Sequence, residues 1–213
     1  MRTINRVALP AVAVLALAGL SLPADAAPKV TLDQGHVDVI GIAFEDGAFN
    51  LHIHDEEHGV EYAPSEVDLV AKPGSEIAVP DDPQYGFLGT PGSRAWVLPQ
   101  VQDPDLLWPG IGAEEIEPGV FKDDALKVDV IGVTGPADLS VFTTDAFGSP
   151  TVLVDSGNGL PDRITTGAGG HLHANWAFEA AGTYKVKVKV CGTLAATGKT
   201  VSAVATYTFQ VKQ

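Results

Sequence analysis

Along most of this chain, apolar and polar residues alternate with a period of two, the pattern of strands that bury one face. The longest run is Thr166 to Val190. After a glycine-rich entry, Leu172, Ala174, Trp176 and Phe178 take one side, while His171, His173 and Asn175 take the other. Ala180, Ala181 and Gly182 break the run. Alternation then resumes with Tyr184, Val186, Val188 and Val190 inward and Lys185, Lys187 and Lys189 outward. Thr200 to Val211 repeats the pattern, with Val201, Ala203, Ala205, Tyr207, Phe209 and Val211 in one phase.

Upstream, the pattern predicts a strand over Lys29 to Ile42, with Val37, Val39 and Ile42 apolar and His36 and Asp38 together on one face. Glu45, Asp46 and Gly47 signal a hairpin turn. Phe49 to His54 follows, with Phe49, Leu51 and Ile53 on one side and His52 and His54 on the other. Short strands are predicted over Glu66 to Ala71 and Glu76 to Pro80, joined by a turn at Lys72, Pro73 and Gly74. Leu126 to Val133, Asp138 to Thr143 and Thr151 to Val154 complete the set. The segment 81–119 has no clear period. Its prolines, glycines and large aromatics read as a packed irregular insertion. Outside the amino-terminal leader no long stretch has a helical period. The fold class that follows is all-β: an antiparallel β-sandwich, immunoglobulin-like or jelly-roll-like, carrying that long insertion.

The leader changes the expected compartment. Arg2 and Arg6 precede the apolar run Val7 to Leu22, and Ala24, Asp25 and Ala26 form a small-x-small cleavage site. A secretory signal peptide is expected over 1–26 and a single domain over 27–213, with no membrane span in the mature chain. Without a carboxyl-terminal hydrophobic tail or sorting signal, the expectation is a freely secreted, extracellular protein. The net charge of −14 disfavours nucleic acid and anionic surfaces as partners. The single Cys191 excludes an intramolecular disulfide and is expected to pack as a small core residue.

The candidate chemistry lies in the six histidines, which fall in three places: His36; His52, His54 and His58; and His171 and His173. Each of three strands offers an H-x-H or H-x-D pair, and the period of two sends both members to one face. If the strands converge, His36, Asp38, His52, His54, His171 and His173 are candidate metal ligands, with Asn175 as a residue that orients a ligand. Imidazole nitrogens suit Zn²⁺, with Cu²⁺, Ni²⁺ and Mn²⁺ as rivals. Six candidates exceed one tetrahedral shell, so the surplus either orients ligands or marks a second, weaker site. Solvated strand faces and a pH-sensing cluster are the competing readings. The segment Asp155 to Asp162 lacks the carboxylates of a calcium loop and reads as a turn. No nucleophile elbow, phosphate loop or His-Glu-x-x-His motif is present, and no enzymatic activity is expected. A metallohydrolase, with Glu56 or Glu57 as base, would also need an open coordination position and a cleft.

The stretches 35–39 (Gly-His-Val-Asp-Val), 87–92 (Phe-Leu-Gly-Thr-Pro-Gly), 96–100 (Trp-Val-Leu-Pro-Gln), 106–110 (Leu-Leu-Trp-Pro-Gly) and 171–178 (His-Leu-His-Ala-Asn-Trp-Ala-Phe) resemble the choice-of-anchor M domain. That family is also described as the actinobacterial surface-anchored protein repeat. The resemblance runs over nearly the whole mature chain. It implies a secreted or wall-attached protein, and, from members encoded beside metal-type ABC transporters, a role in extracytoplasmic metal handling. The matching positions are His36, Asp38, His171, His173 and Asn175. Metal binding, with a transporter component or another surface protein as partner, is thus the leading expectation. A surface adhesion or interaction module is the alternative, which predicts dispersed histidines and an exposed patch built from Tyr85, Phe87 and Trp108.

Overall fold

The computed structural model describes residues 28–213; the predicted signal peptide lies outside the described residues. In chain order the strands are β1 (Val30–Leu32), β2 (Gly35–Glu45), β3 (Ala48–Asp55), β4 (Val60–Tyr62), β5 (Val67–Ala71), β6 (Glu76–Ala78), β7 (Arg94–Leu98) and β8 (Leu107–Gly112). They continue as β9 (Phe121–Thr134), β10 (Leu139–Thr144), β11 (Pro150–Asp155), β12 (Asp162–Gly167), β13 (His171–His173), β14 (Asn175–Phe178), β15 (Gly182–Leu194) and β16 (Thr200–Val211). The only helical pieces among the described residues are short 3-10 turns.

The strands form three sheets, ordered β1-β5-β16-β15-β9-β12, β11-β10-β14-β7-β6 and β13-β8-β2-β3-β4. One contiguous core draws on all three: Leu126, Val128, Tyr184, Val186 and Phe209 from the six-stranded sheet, Trp96, Val141, Trp176 and Phe178 from the second, and Val37, Ile42, Ile53 and Ile111 from the third. Aromatic pairs cross between sheets, among them Phe178 with Tyr184 and Phe44 with Phe121. The all-β sandwich is therefore the observed class. Its pairing is mixed rather than purely antiparallel, because β1–β5, β5–β16 and β2–β8 are parallel. These orders do not assign it to the immunoglobulin or the jelly-roll type.

The β2–β3 hairpin turns at Asp46 and Gly47, both with positive φ (50° and 81°), as a tight two-residue turn between right-twisted strands requires. β15 and β16 pair along their whole length, from Gly182 opposite Val211 to Thr193 opposite Thr200.

Three expectations are corrected. Segment 81–119 is not an insertion apart from the sheets: it supplies β7, between β14 and β6, and β8, between β2 and β13. Strand β8 escaped the periodicity because Pro109, Gly110 and Gly112 carry none, yet those residues are what its neighbours need. The run from His171 to Phe178 is not one strand. β13 pairs with β8 and β14 with β10 and β7, so the chain changes sheets at buried Ala174. Cys191 is half-buried rather than core, because it follows inward Val190 and so falls on the lysine side of β15.

Candidate metal centre

Sheet register brings the histidines of β2, β3 and β13 onto one face. Across the strands, His173 lies opposite Gly110, Gly110 beside Asp38, and Asp38 opposite His54. In the next row His171 lies opposite Gly112, Gly112 beside Gly41, and Gly41 opposite His52. Strict alternation from Asp38 would put Ile40, not Gly41, on this face. A bulge between Asp38 and Gly41 rephases β2, so that Val39 and Ile40 are both buried while Gly41 comes under His52. The three glycines are a consequence of crowding. A Cβ at Gly110 or Gly112 would run into the Asp38 carboxylate, and one at Gly41 into the His52 ring.

Three donor atoms form a triangle over this glycine floor. His36 Nε2 is 3.3 Å from His171 Nε2, His171 Nε2 is 3.0 Å from Asp38 Oδ1, and Asp38 Oδ1 is 3.5 Å from His36 Nε2. Ligands bonded to one tetrahedral ion at ~2.0–2.1 Å stand about 3.3 Å apart, so each edge matches the spacing of co-ligands. His173 joins this group: one ring nitrogen each from His36, His171 and His173 lie within 4.8 Å of one another. Asp38 is 2% exposed, and its Oδ1 has no hydrogen-bond partner among the described residues despite its imidazole neighbours. A cluster of His36, His171 and His173 able to hold a metal ion is thus present.

Neighbouring groups orient the rings. His173 Nδ1 sits 2.9 Å from the Pro109 carbonyl, which can only accept, so Nδ1 carries the proton and Nε2 keeps its lone pair. Trp108 stacks on the same ring. His171 Nδ1 lies 3.0 Å from Glu114 Oε2, without hydrogen-bond geometry, while Nε2 faces Asp38 and His36. Burial holds His173 down to about 4, with the Pro109 bond opposing and the two neighbouring imidazoles reinforcing. Burial also lowers His36, with His171 adding to it. Burial pushes Asp38 up to about 6 against the pull of His171. Neutral imidazoles beside a reluctant carboxylate are what a cation would convert into a full ligand set.

The remaining predicted ligands do not join this group. His52 and His54 face a separate carboxylate, Glu115, with which they form their own cluster. His58 is exposed and bonds Asp55 Oδ2 at the β3 turn. Asn175 is not in contact with an imidazole: its Oδ1 accepts from the Gln100 backbone N–H and its Nδ2 donates to Thr144 Oγ1. Tyr85 and Phe87 pack with Phe142 in a small secondary core and Trp108 covers His173, so these three do not form the exposed patch expected of an interaction module. Sequence reasoning missed Glu114, Glu115, Trp108 and Pro109. A Gly-x-Gly followed by two glutamates (110–115) was the available signal, hidden because 81–119 carried no strand period.

Comparison with protein-family models, with curated proteins and with solved structures gave no match. Among the described residues no helix is long and apolar enough to cross a membrane.

Proposed function

We propose that this protein binds zinc through His36, Asp38, His171 and His173 and works outside the cytoplasm as a carrier or scavenger that delivers metal to a transporter. The donor triangle of His36, His171 and Asp38, with edges near the co-ligand spacing of a tetrahedral ion, is the observation that carries this reading. Three imidazoles and one carboxylate suit zinc better than softer or harder ions. With four protein donors the shell is closed, which favours holding an ion over activating a water on it. The His36 and His171 side chains keep about a fifth of their surface exposed, so an ion can enter and leave at the rim. The amino-terminal leader supports the compartment, and the resemblance to the choice-of-anchor M domain supports a metal-type ABC transporter as partner.

The test is calorimetric titration of zinc into the protein and into a His171→Ala/His173→Ala variant. The wild type is expected to bind zinc with a tight step that the variant loses by at least 100-fold. Equal tight binding by the two proteins would place zinc elsewhere and remove this reading.

A further inference from the structure

His52 is the one buried histidine among the described residues: it is 3% exposed, and neither ring nitrogen has a hydrogen-bond partner there. Buried imidazoles are normally paired, so an unpaired one points to a missing ligand. The chain also leaves out a side chain to keep the ring in place, since a Cβ at Gly41 would meet Nε2. That same Nε2 lies 3.1 Å from Glu115 Oε1 without hydrogen-bond geometry, again a spacing seen between atoms that share an ion. His54 comes from the same face of β3 two residues on. Its Nδ1 lies 2.9 Å from Glu56 Oε1. One donor each from His52, His54 and Glu115 lie within 4.8 Å of one another. They line a cavity of about 210 Å³ whose wall also includes Asp38, Glu56 and Glu114.

We infer that His52, His54 and Glu115 form a second site for a divalent transition metal, separated from the first by the Asp38 carboxylate that borders both. Two imidazoles and one carboxylate are a donor set for zinc or a similar borderline ion. The bulge in β2 follows Asp38, which keeps its place beside His36, and brings Gly41 under His52. The protein would then carry two ions on one sheet face. This deepens the zinc reading but stands on its own residues, Asp38 excepted.

Equilibrium dialysis against zinc chloride, followed by elemental analysis of the protein, decides it. The proteins are the wild type, Glu115→Gln, His54→Ala and His171→Ala/His173→Ala, each checked for folding by circular dichroism. Glu115 and His54 are partly exposed, so their variants should keep the fold. The expected result is two ions per wild-type chain and one in Glu115→Gln and in His54→Ala, the remaining ion binding within about threefold of the tighter wild-type step. One ion in the wild type and in both of these variants overturns the second site and leaves the first standing. One ion in the wild type that Glu115→Gln loses but His171→Ala/His173→Ala keeps upholds the second site and overturns the first. No zinc on the wild type overturns both.

Discussion

Trp108 lies face to face with His173, ring centroids 3.7 Å apart and planes 7° from parallel. The indole is itself anchored, since its Nε1–H donates to the Gln100 carbonyl at 2.8 Å, while the Gln100 N–H donates to Asn175 Oδ1 at 2.9 Å. Asn175 is thereby linked by hydrogen bonds, through Gln100, to the indole that covers His173. Replacing Trp108 with Ala removes the closest stacking partner and leaves the Pro109 carbonyl and the His36 and His171 rings to orient His173. Trp108→Ala is expected to weaken zinc binding about tenfold and to cost about 2 kcal/mol of stability. Titration and urea unfolding read the two effects. Unchanged affinity would mean that Pro109 and the neighbouring imidazoles orient His173 without the indole.

The Asp38 carboxylate occupies space that Gly110 and Gly112 leave open. A methyl group at either position drives the carboxylate out of its place between His36 and His171, or forces the strands apart. Gly110→Ala and Gly112→Ala are each expected to lower zinc affinity by at least 100-fold and to destabilise the metal-free protein by about 1–3 kcal/mol. Gly86, where a Cβ meets nothing and the backbone is not left-handed, serves as the control for replacing a glycine as such. A Gly112→Ala protein that still bound zinc normally would show that Asp38 is not a ligand.

Much of the architecture was legible from alternation alone. β3, β10, β11 and β16 begin and end close to where apolar and polar positions cease to alternate, β15 runs past Val190 to Leu194, and the histidine pairs share one face because the period of two forces it. Two features were hidden for physical reasons. Strand β8 is built from residues that weaken a strand signal, and it is held by its neighbours on either side rather than by its own propensity. The seating of the His52 ring depends on the bulge at Val39 and Ile40, where one extra residue puts Gly41 instead of Ile40 opposite it. Nothing in the local sequence announces that shift. Glu114 and Glu115 were equally out of view, because they act from the loop that follows a strand the pattern did not reveal.

Glu114 holds His171 from behind, with Oε2 3.0 Å from Nδ1, while Nε2 faces Asp38 and His36. A carboxylate this close to Nδ1 favours the tautomer with the proton on that nitrogen, which leaves the Nε2 lone pair for a metal. Glu114→Gln keeps a hydrogen-bonding group of the same shape but removes the charge. Zinc affinity is expected to fall by about 10- to 100-fold with the fold intact, and the stoichiometry should not change. Loss of a whole ion instead would make Glu114 a ligand and not an orienting group.

Asp38 connects stability and binding with opposite signs. Without metal its carboxylate faces imidazole nitrogens while buried, and burial raises its pKa to about 6 from an ordinary 3.8. Between those values the folded state holds a proton that the unfolded state has released, so raising the pH through this window removes stability. His173 acts in the other direction. Held near 4 against an ordinary 6.5, it is neutral in the folded state where the unfolded chain is protonated, so stability is lost as pH falls from 6.5 toward 4. Asp38→Asn removes the first effect and keeps the second, and the new amide can donate to the imidazole facing it. The metal-free variant is expected to match the wild type near pH 4. Its advantage should grow as pH rises to about 6 and then level off at roughly 2–3 kcal/mol. Its zinc affinity should fall by at least 100-fold at pH 7. Thermal unfolding at a series of pH values in chelator gives the first curve, and titration with zinc gives the second. A variant less stable than the wild type at pH 7 would show that the Asp38 charge already has a partner in the metal-free protein, and the case for a cation at this carboxylate would lose its energetic basis.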